Sequence, residues 1–192
     1  MIDYIFLAEN YDSQYMSDMC KKENTAVSEL LNKYEVQNKK VVDVGCGTGF
    51  ALDLADIKNY TGIDISPRMI EKACCKHPNA NFIVSSAKEA LFQKEYDVAL
   101  SLFSIPYIGE DAVKRIHSIL KNDGICICVY YNKPFLNSQS VYFGQKEQYL
   151  KSILPQVKNV ILAFFERFRC IEYHPLTEDE TYSVAVFRKE TL

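Results

Sequence analysis

Between residues 40 and 131, short β-branched or apolar runs alternate with stretches of helical periodicity, and few folds accommodate that alternation. Its opening unit, VVDVGCGTGFALDLADIKNYTGIDIS at 41–66, reads as strand, tight turn, short helix and second strand. Ala51, Leu52 and Leu54 give the helix an apolar side, and the strands cover 40–44 and 60–65. SPRMIEKACCKH then starts a helix with Ser66 as N-cap and Pro67 at its first position. Residues 81–84 read as a third strand, and YDVALSLF, 96–103, as a fourth, apolar enough throughout to be central. Ala112, Val113, Ile116, Ile119 and Leu120 mark a helix stopped by Asn122, Asp123 and Gly124, and ICICVYY is strand five. Right-handed crossovers return such strands to one mostly parallel sheet, helices on both faces.

The flanks read differently. Val27, Leu30, Leu31 and Tyr34 predict a helix before strand one, capped by Asn24 or Thr25. Beyond Tyr131 the pattern is irregular and aromatic to Lys151. Pro155 precedes a helix to about Arg167, and RCIEY and TYSVAVFRK close the chain as antiparallel strands. The expected class is α/β, a doubly wound sheet of about seven strands, mostly parallel with an antiparallel closing strand. At 192 residues it is read as a single domain: 1–38 as N-terminal cap or lid helices, 39–131 as the cofactor-binding core, 132–167 as insertion and helix, 168–192 as closing strands.

Composition narrows the function classes. A net charge of −3 and a pI near 5.7 supply no global field for a polyanion, which disfavours nucleic acid as partner. Seven cysteines without a CxxC pair fit a reducing cytoplasm and offer no zinc site, so no metal is expected. IDYIFLA at the start lacks a basic flank and carries Asp3, with Glu9 close behind. No uncharged run could span a bilayer, so the chain is expected to be soluble, cytoplasmic and without a membrane partner.

In a parallel sheet, ligands bind where the strands' carboxyl ends open onto the topological switch point, and Gly45, Gly47 and Gly49 fall there. A dinucleotide fingerprint, GxGxxG, would need its last glycine at Phe50, and a diphosphate would want the helix amino end unobstructed. Asp64, ending strand two, is placed to accept both hydroxyls of a ribose. DVGCGTG, with Asp43 ahead of Gly45, Cys46, Gly47, Thr48 and Gly49, resembles the first motif of the class I S-adenosylmethionine-dependent methyltransferases, a Rossmann-like family. The likeness extends from about 40 to 131. It implies S-adenosyl-L-methionine as cofactor, Asp64 on its ribose and Ile65 bordering its adenine. NFIVSSAKEAL resembles the segment that meets the adenine amino group, with Ala87 in place and Ser86 where the family has an acid. YDVALSLFSIPYI is similar to the fourth motif, and Ser101 on that strand counts among the cofactor residues. ENYDSQY resembles an opening whose tyrosine, here Tyr11, folds over the cofactor's methionine end; the bland alternative is that Tyr11 and Tyr15 cover the sheet edge.

SIPY at 104–107 is similar to the [DNS]PPY motif of amino-directed nucleic-acid methyltransferases, but it comes two residues late relative to Asp97. It reads instead as a pocket-lining loop. Phe103, Tyr107 and Tyr131 are the candidate acceptor-binding residues, with Tyr130, Phe135, Tyr142 and Phe143 as further aromatics nearby. His117 and His77 read as structural, His174 could face the site, and the thiols of Cys126 and Cys128 read as core. Sulfonium methyl transfer is an in-line displacement that requires no fixed base, so no catalytic residue is assigned. The expected function is methyl transfer to a small-molecule N or O acceptor. Alternatives are a protein or RNA acceptor, or a binding module without turnover.

Overall fold

The computed structural model describes residues 11–13, 20–90, 95–132, 155–178 and 180–190. After a helical turn at 11–13 come α1 (Lys21–Lys33), β1 (Lys40–Val44), α2 (Phe50–Leu54), β2 (Asn59–Asp64), α3 (Pro67–Lys76), β3 (Asn81–Val84), β4 (Tyr96–Leu102), α4 (Ile105–Ile119), β5 (Leu120–Tyr131), α5 (155–167), β6 (Arg169–Pro175) and β7 (Tyr182–Arg188). The strands form one sheet in the order β3-β2-β1-β4-β5-β7-β6. The first five are parallel, and β7 inserts antiparallel between β5 and β6. β4 is central, as its continuous apolarity requires.

Both faces of the central strands are apolar because both are covered. Val41, Val98, Leu100, Ile127, Val129 and Val186 point to the face packed by Val27, Leu30 and Leu31 of α1 and Ala51 of α2. Their neighbours Val42, Ala99, Cys126, Cys128 and Phe187 point to the other, against α4 and α5. This period-2 division fixes register, since a one-residue slip would exchange two cores of different shape.

Two local expectations are corrected. α1 begins at Lys21 with no side-chain cap, so Asn24 and Thr25 lie inside it, and the Thr25 hydroxyl donates to the Lys21 carbonyl at 2.8 Å. α4 ends at Ile119 rather than at 122–124. The chain turns straight into β5, with Leu120 opposite Tyr96 and Asp123 at φ 61° just ahead of Gly124. α4 is also broken at Gly109 (φ 69°, ψ 171°), which separates a first turn from the main helix. Ser66 does cap α3, accepting from the Met69 amide at 3.4 Å, with Pro67 following. Among the described residues no helix is long and apolar enough to cross a membrane.

Candidate cofactor and acceptor site

The loops after β1 and β4 meet where the strand order changes direction, the place for a ligand in an open parallel sheet. In the first loop four amides are already committed. Gly45 and Cys46 both donate to the Ile63 carbonyl (2.8 and 3.0 Å), Gly47 donates to Asp64 Oδ2 (2.9 Å) and Gly49 to the Cys46 carbonyl (3.0 Å). A phosphate-binding loop must turn such amides toward its anion. This loop spends them on itself, which suits a ligand without phosphates.

The loop's first two glycines serve different ends. Gly45 sits at φ +75°, and a Cβ there would come within 2.4 Å of Ser104 Cβ, so its lack of a side chain lets the two loops touch. Gly47, at φ +54°, meets nothing closer than the Tyr11 ring, 3.8–3.9 Å from a Cβ built there. Tyr11 therefore lies over Gly47. Cys46 is buried with its thiol pushed well up by burial and by the Asp43 and Asp64 charges, and its side chain belongs to the core.

Asp64 is half-buried, with Oδ2 on Gly47 and Oδ1 accepting from the Ser66 amide at 2.8 Å. Burial pushes its carboxyl up against the pull of those amides. The Ile65 amide bonds it as well, and a carboxylate offers about four acceptor positions, so one remains for another donor. Asp43 is 2% exposed; its Oδ2 accepts from the Tyr60 hydroxyl at 2.8 Å, and its Oδ1 has no hydrogen-bond partner among the described residues. Burial raises its carboxyl to about 7, the Tyr60 hydroxyl lowering it and the Asp64 charge raising it further. Ile65 and Val84, at the ends of adjacent strands, leave 62% and 50% of their surfaces in solvent. The Ser86 carbonyl accepts from the Glu89 and Ala90 amides, forming the turn that carries Ala87.

Ser101 is corrected. It is fully buried, with its hydroxyl 2.7 Å from that of Ser104, which donates to the Val44 carbonyl at 2.6 Å. Ser104 has one proton and spends it on Val44, leaving Ser101 as donor to Ser104. Ser101 thus supports the loop contact from behind, and an inward-facing Ser104 has no hydroxyl to offer a base.

Phe103, at φ 61°, ends β4 with its amide donating to the Val129 carbonyl at 2.7 Å. Its ring packs edge-on against Tyr182 (5.2 Å) and Phe50 (6.0 Å) and lies 6.1 Å from Tyr131. Tyr182 is the member that sequence reasoning missed. It is paired in register with Tyr131, a pairing available from the alternation of TYSVAVFRK against ICICVYY once β7 is known to sit beside β5. Tyr131 and Tyr182 are only 4% and 6% exposed, so Phe103 offers the accessible edge of this cluster. The side chain of Tyr107, the aromatics Phe135, Tyr142 and Phe143, and nearly all of the 132–151 segment read as an acceptor cover lie outside the described residues.

Each histidine is engaged by neighbours within the protein. Both ring nitrogens of His174 lie against acceptors, the Glu172 carboxylate at 2.7 Å and the Pro175 carbonyl at 2.6 Å. His117 stacks edge-on against Phe168, and His77 ends α3 with Nε2 3.1 Å from Asp53 Oδ1. The thiols of Cys126 and Cys128 lie 3.7 Å apart in the core, and no cluster suited to a metal ion occurs among the described residues. A basic concavity of about 490 Å³, lined by Lys39, Lys58, Lys121 and Asp97 among others, lies at the opposite, amino ends of the strands.

The residues fit an S-adenosyl ligand. Asp64 has spare acceptor capacity for a ribose hydroxyl, Asp43 holds an unpartnered buried oxygen suited to a cation, and four loop amides are spent on the protein rather than on a phosphate.

Residues 41–124 match the sequence family described as methyltransferase domain. The chain is similar to the ubiquinone/menaquinone biosynthesis C-methyltransferase UbiE of Campylobacter jejuni, at 26% identity over 71% of this chain and 62% of the relative. It is also similar to the malonyl-[acyl-carrier protein] O-methyltransferase of Acetivibrio thermocellus, at 32% identity over 62% of this chain and 44% of that one. The chain thus spans less than two thirds of the length of these curated relatives. Among solved structures, the N-methyltransferase NodS of Bradyrhizobium japonicum, bound to S-adenosyl-L-homocysteine, superposes with a TM-score of 0.70. It covers 91% of this chain and 89% of its own, and at 16% identity the likeness is one of fold.

Proposed function

From the premise that the chain belongs to the class I S-adenosylmethionine-dependent methyltransferases, we propose that it transfers a methyl group to a nitrogen or oxygen atom of a small-molecule acceptor. The observation that carries the cofactor half is the paired use of Asp64: it ties down the glycine loop through Gly47 and keeps acceptor capacity for a ribose hydroxyl. Ile65 and Val84 would border the adenine, Ser86 and Ala87 its edge, and Asp43 Oδ1 and Tyr11 the charged methionine end. When bound, S-adenosylmethionine supplies a methyl group on a sulfonium centre, whose thioether is a good leaving group.

The protein's own task is then alignment and exclusion of water. Phe103 presents an aromatic edge beside the loop contact, which favours a partly apolar acceptor held against a ring. Tyr107 and Tyr131 remain on the proposed acceptor side, Tyr131 as backing rather than as surface.

Isothermal titration with S-adenosylmethionine and S-adenosylhomocysteine tests the cofactor half, and a screen of amine, phenol and carboxylate acceptors that measures S-adenosylhomocysteine release tests the rest. Micromolar binding with acceptor-dependent release is expected. Binding without release across the screen, but with release on protein or RNA, would replace the small acceptor by a macromolecule. Binding without release on either kind of acceptor would favour a binding module.

A further inference from the structure

The helical turn at 11–13 is tied to the glycine loop by polar contacts between groups far apart in sequence. Asp12 Oδ1 accepts from the Thr48 hydroxyl at 2.6 Å and from Lys76 Nζ at 3.1 Å. Lys76, in the last turn of α3, also donates to Asp53 Oδ2 of α2 at 2.7 Å, and Asp53 Oδ1 faces His77 at 3.1 Å. His77 in turn lies against Gly49, where a Cβ would come within 2.7 Å of its ring. Thr48 is fully buried, and Lys76 and Asp53 are mostly so, with 27% and 15% of their side chains exposed. A lysine so placed is worth more than a surface ion pair, because less water competes for it.

We infer that Asp12 and Lys76 are positioning residues, a clasp that holds Tyr11 over Gly47 and thereby sets cofactor affinity from outside the cofactor's reach. The inference rests on the cofactor reading above. Tyr11 immediately precedes Asp12, so a carboxylate pinned by Thr48 and Lys76 fixes the ring's place on the loop. Lys76 is well chosen for this. It joins three segments, the 11–13 turn, α2 and α3, by pairing with one carboxylate from the turn and one from α2. Without it Asp12 and Asp53 would face each other as like charges across the base of the turn.

The test is a double-mutant cycle read by isothermal titration with S-adenosylhomocysteine, with thermal unfolding followed in parallel. Lys76→Met and Asp12→Asn are each expected to raise Kd about tenfold, the size of one hydrogen bond to a charged group. Lys76→Arg should recover most of the loss. The decisive background is Tyr11→Ala: if Lys76 acts through Tyr11, adding Lys76→Met there changes Kd by less than about twofold. An equal loss in both backgrounds would make Lys76 a general support of α2 and α3 and overturn the clasp, as would single variants that bind like the wild type. A wild-type chain that binds neither S-adenosylmethionine nor its product overturns the cofactor reading and the clasp with it.

Discussion

The carboxyl ends of β1 and β2, and those of β4 and β5 beside the amino end of β7, are built from different materials. At the first, the groups proposed to meet the cofactor are backbone and short polar side chains: Gly47 under Tyr11, the Asp64 carboxylate, the orphaned Asp43 oxygen. At the second they are aromatic rings, Phe103 packed against Tyr131 and Tyr182 in continuity with the core. The first is directional, and each of its atoms has one chemical use. The second is adaptable, since a ring that fills a core also serves as a pocket wall, and its chemistry does not name what lies against it. On the proposed reading, a chain built this way states its cofactor more sharply than its acceptor.

The hardest blow to the directional end is Gly47→Val. The position is left-handed at φ +54° and roofed by Tyr11, so a branched side chain both strains the loop and fills the space beneath the ring. Titration should find S-adenosylhomocysteine binding abolished while circular dichroism shows the sheet intact. Normal binding would reduce the loop to a structural turn. Next in size, Asp64→Ala should weaken binding by about 1.5–3 kcal/mol, the range for hydrogen bonds to a charged group. Asp64→Asn separates its two roles. Its one amide oxygen can hold the Gly47 amide or the Ser66 amide but not both, so a variant as weak as Asp64→Ala would place the loss on the second carboxylate oxygen rather than on the Gly47 tie.

How much of this was legible beforehand follows the same division. The glycine loop, Asp64 and the Ser66–Pro67 helix start are local patterns, in which residue type and spacing name the conformation. The strands likewise declare themselves by alternation, because both sheet faces are covered. What escaped depends on contacts between distant residues. Nothing near Gly45 announces Ser104, nothing near Ser101 says that its hydroxyl is spent inward, and Asp12 meets Lys76 across 64 positions. Tyr182 joined the aromatic cluster only through the antiparallel register of β7.

The Glu172 cluster, on the aromatic side but remote from the loop, sharpens the contrast by what it should leave unchanged. Glu172 accepts from Lys33, Tyr34 and His174, tying α1 to β6. Burial alone would raise its carboxyl; these donors hold it at about 2 instead. A depressed carboxylate adds stability that is fully present above its unfolded value of about 4.5 and is lost as pH falls toward 2. Glu172→Gln should therefore cost about 1–2 kcal/mol at pH 7, a deficit that shrinks in denaturant titrations at pH 3, with cofactor affinity unmoved. A changed affinity would mean that the two ends are coupled.

The smallest effect bears on Asp43, the group that decides how far the directional end reaches. Its carboxyl is raised to about 7, chiefly by burial, so between its unfolded value near 3.8 and that point the folded chain binds more protons than the unfolded. Its contribution to stability is therefore complete at low pH and declines as pH rises through 7. A cationic group brought to Oδ1 reverses the preference: the ionised form binds it, and the complex releases a proton. Affinity for S-adenosylhomocysteine, which carries an ammonium, should then rise about threefold from pH 6.5 to 7.5, the growth in the ionised fraction of a group titrating at about 7. Titrations in two buffers of different ionisation enthalpy would detect the proton, and Asp43→Asn should flatten the profile. If the wild-type profile is flat and no proton appears, the orphaned oxygen faces no cation. Asp43 would then belong with Tyr60 to the core beneath the loop, leaving Tyr11 and its clasp to hold the methionine end alone.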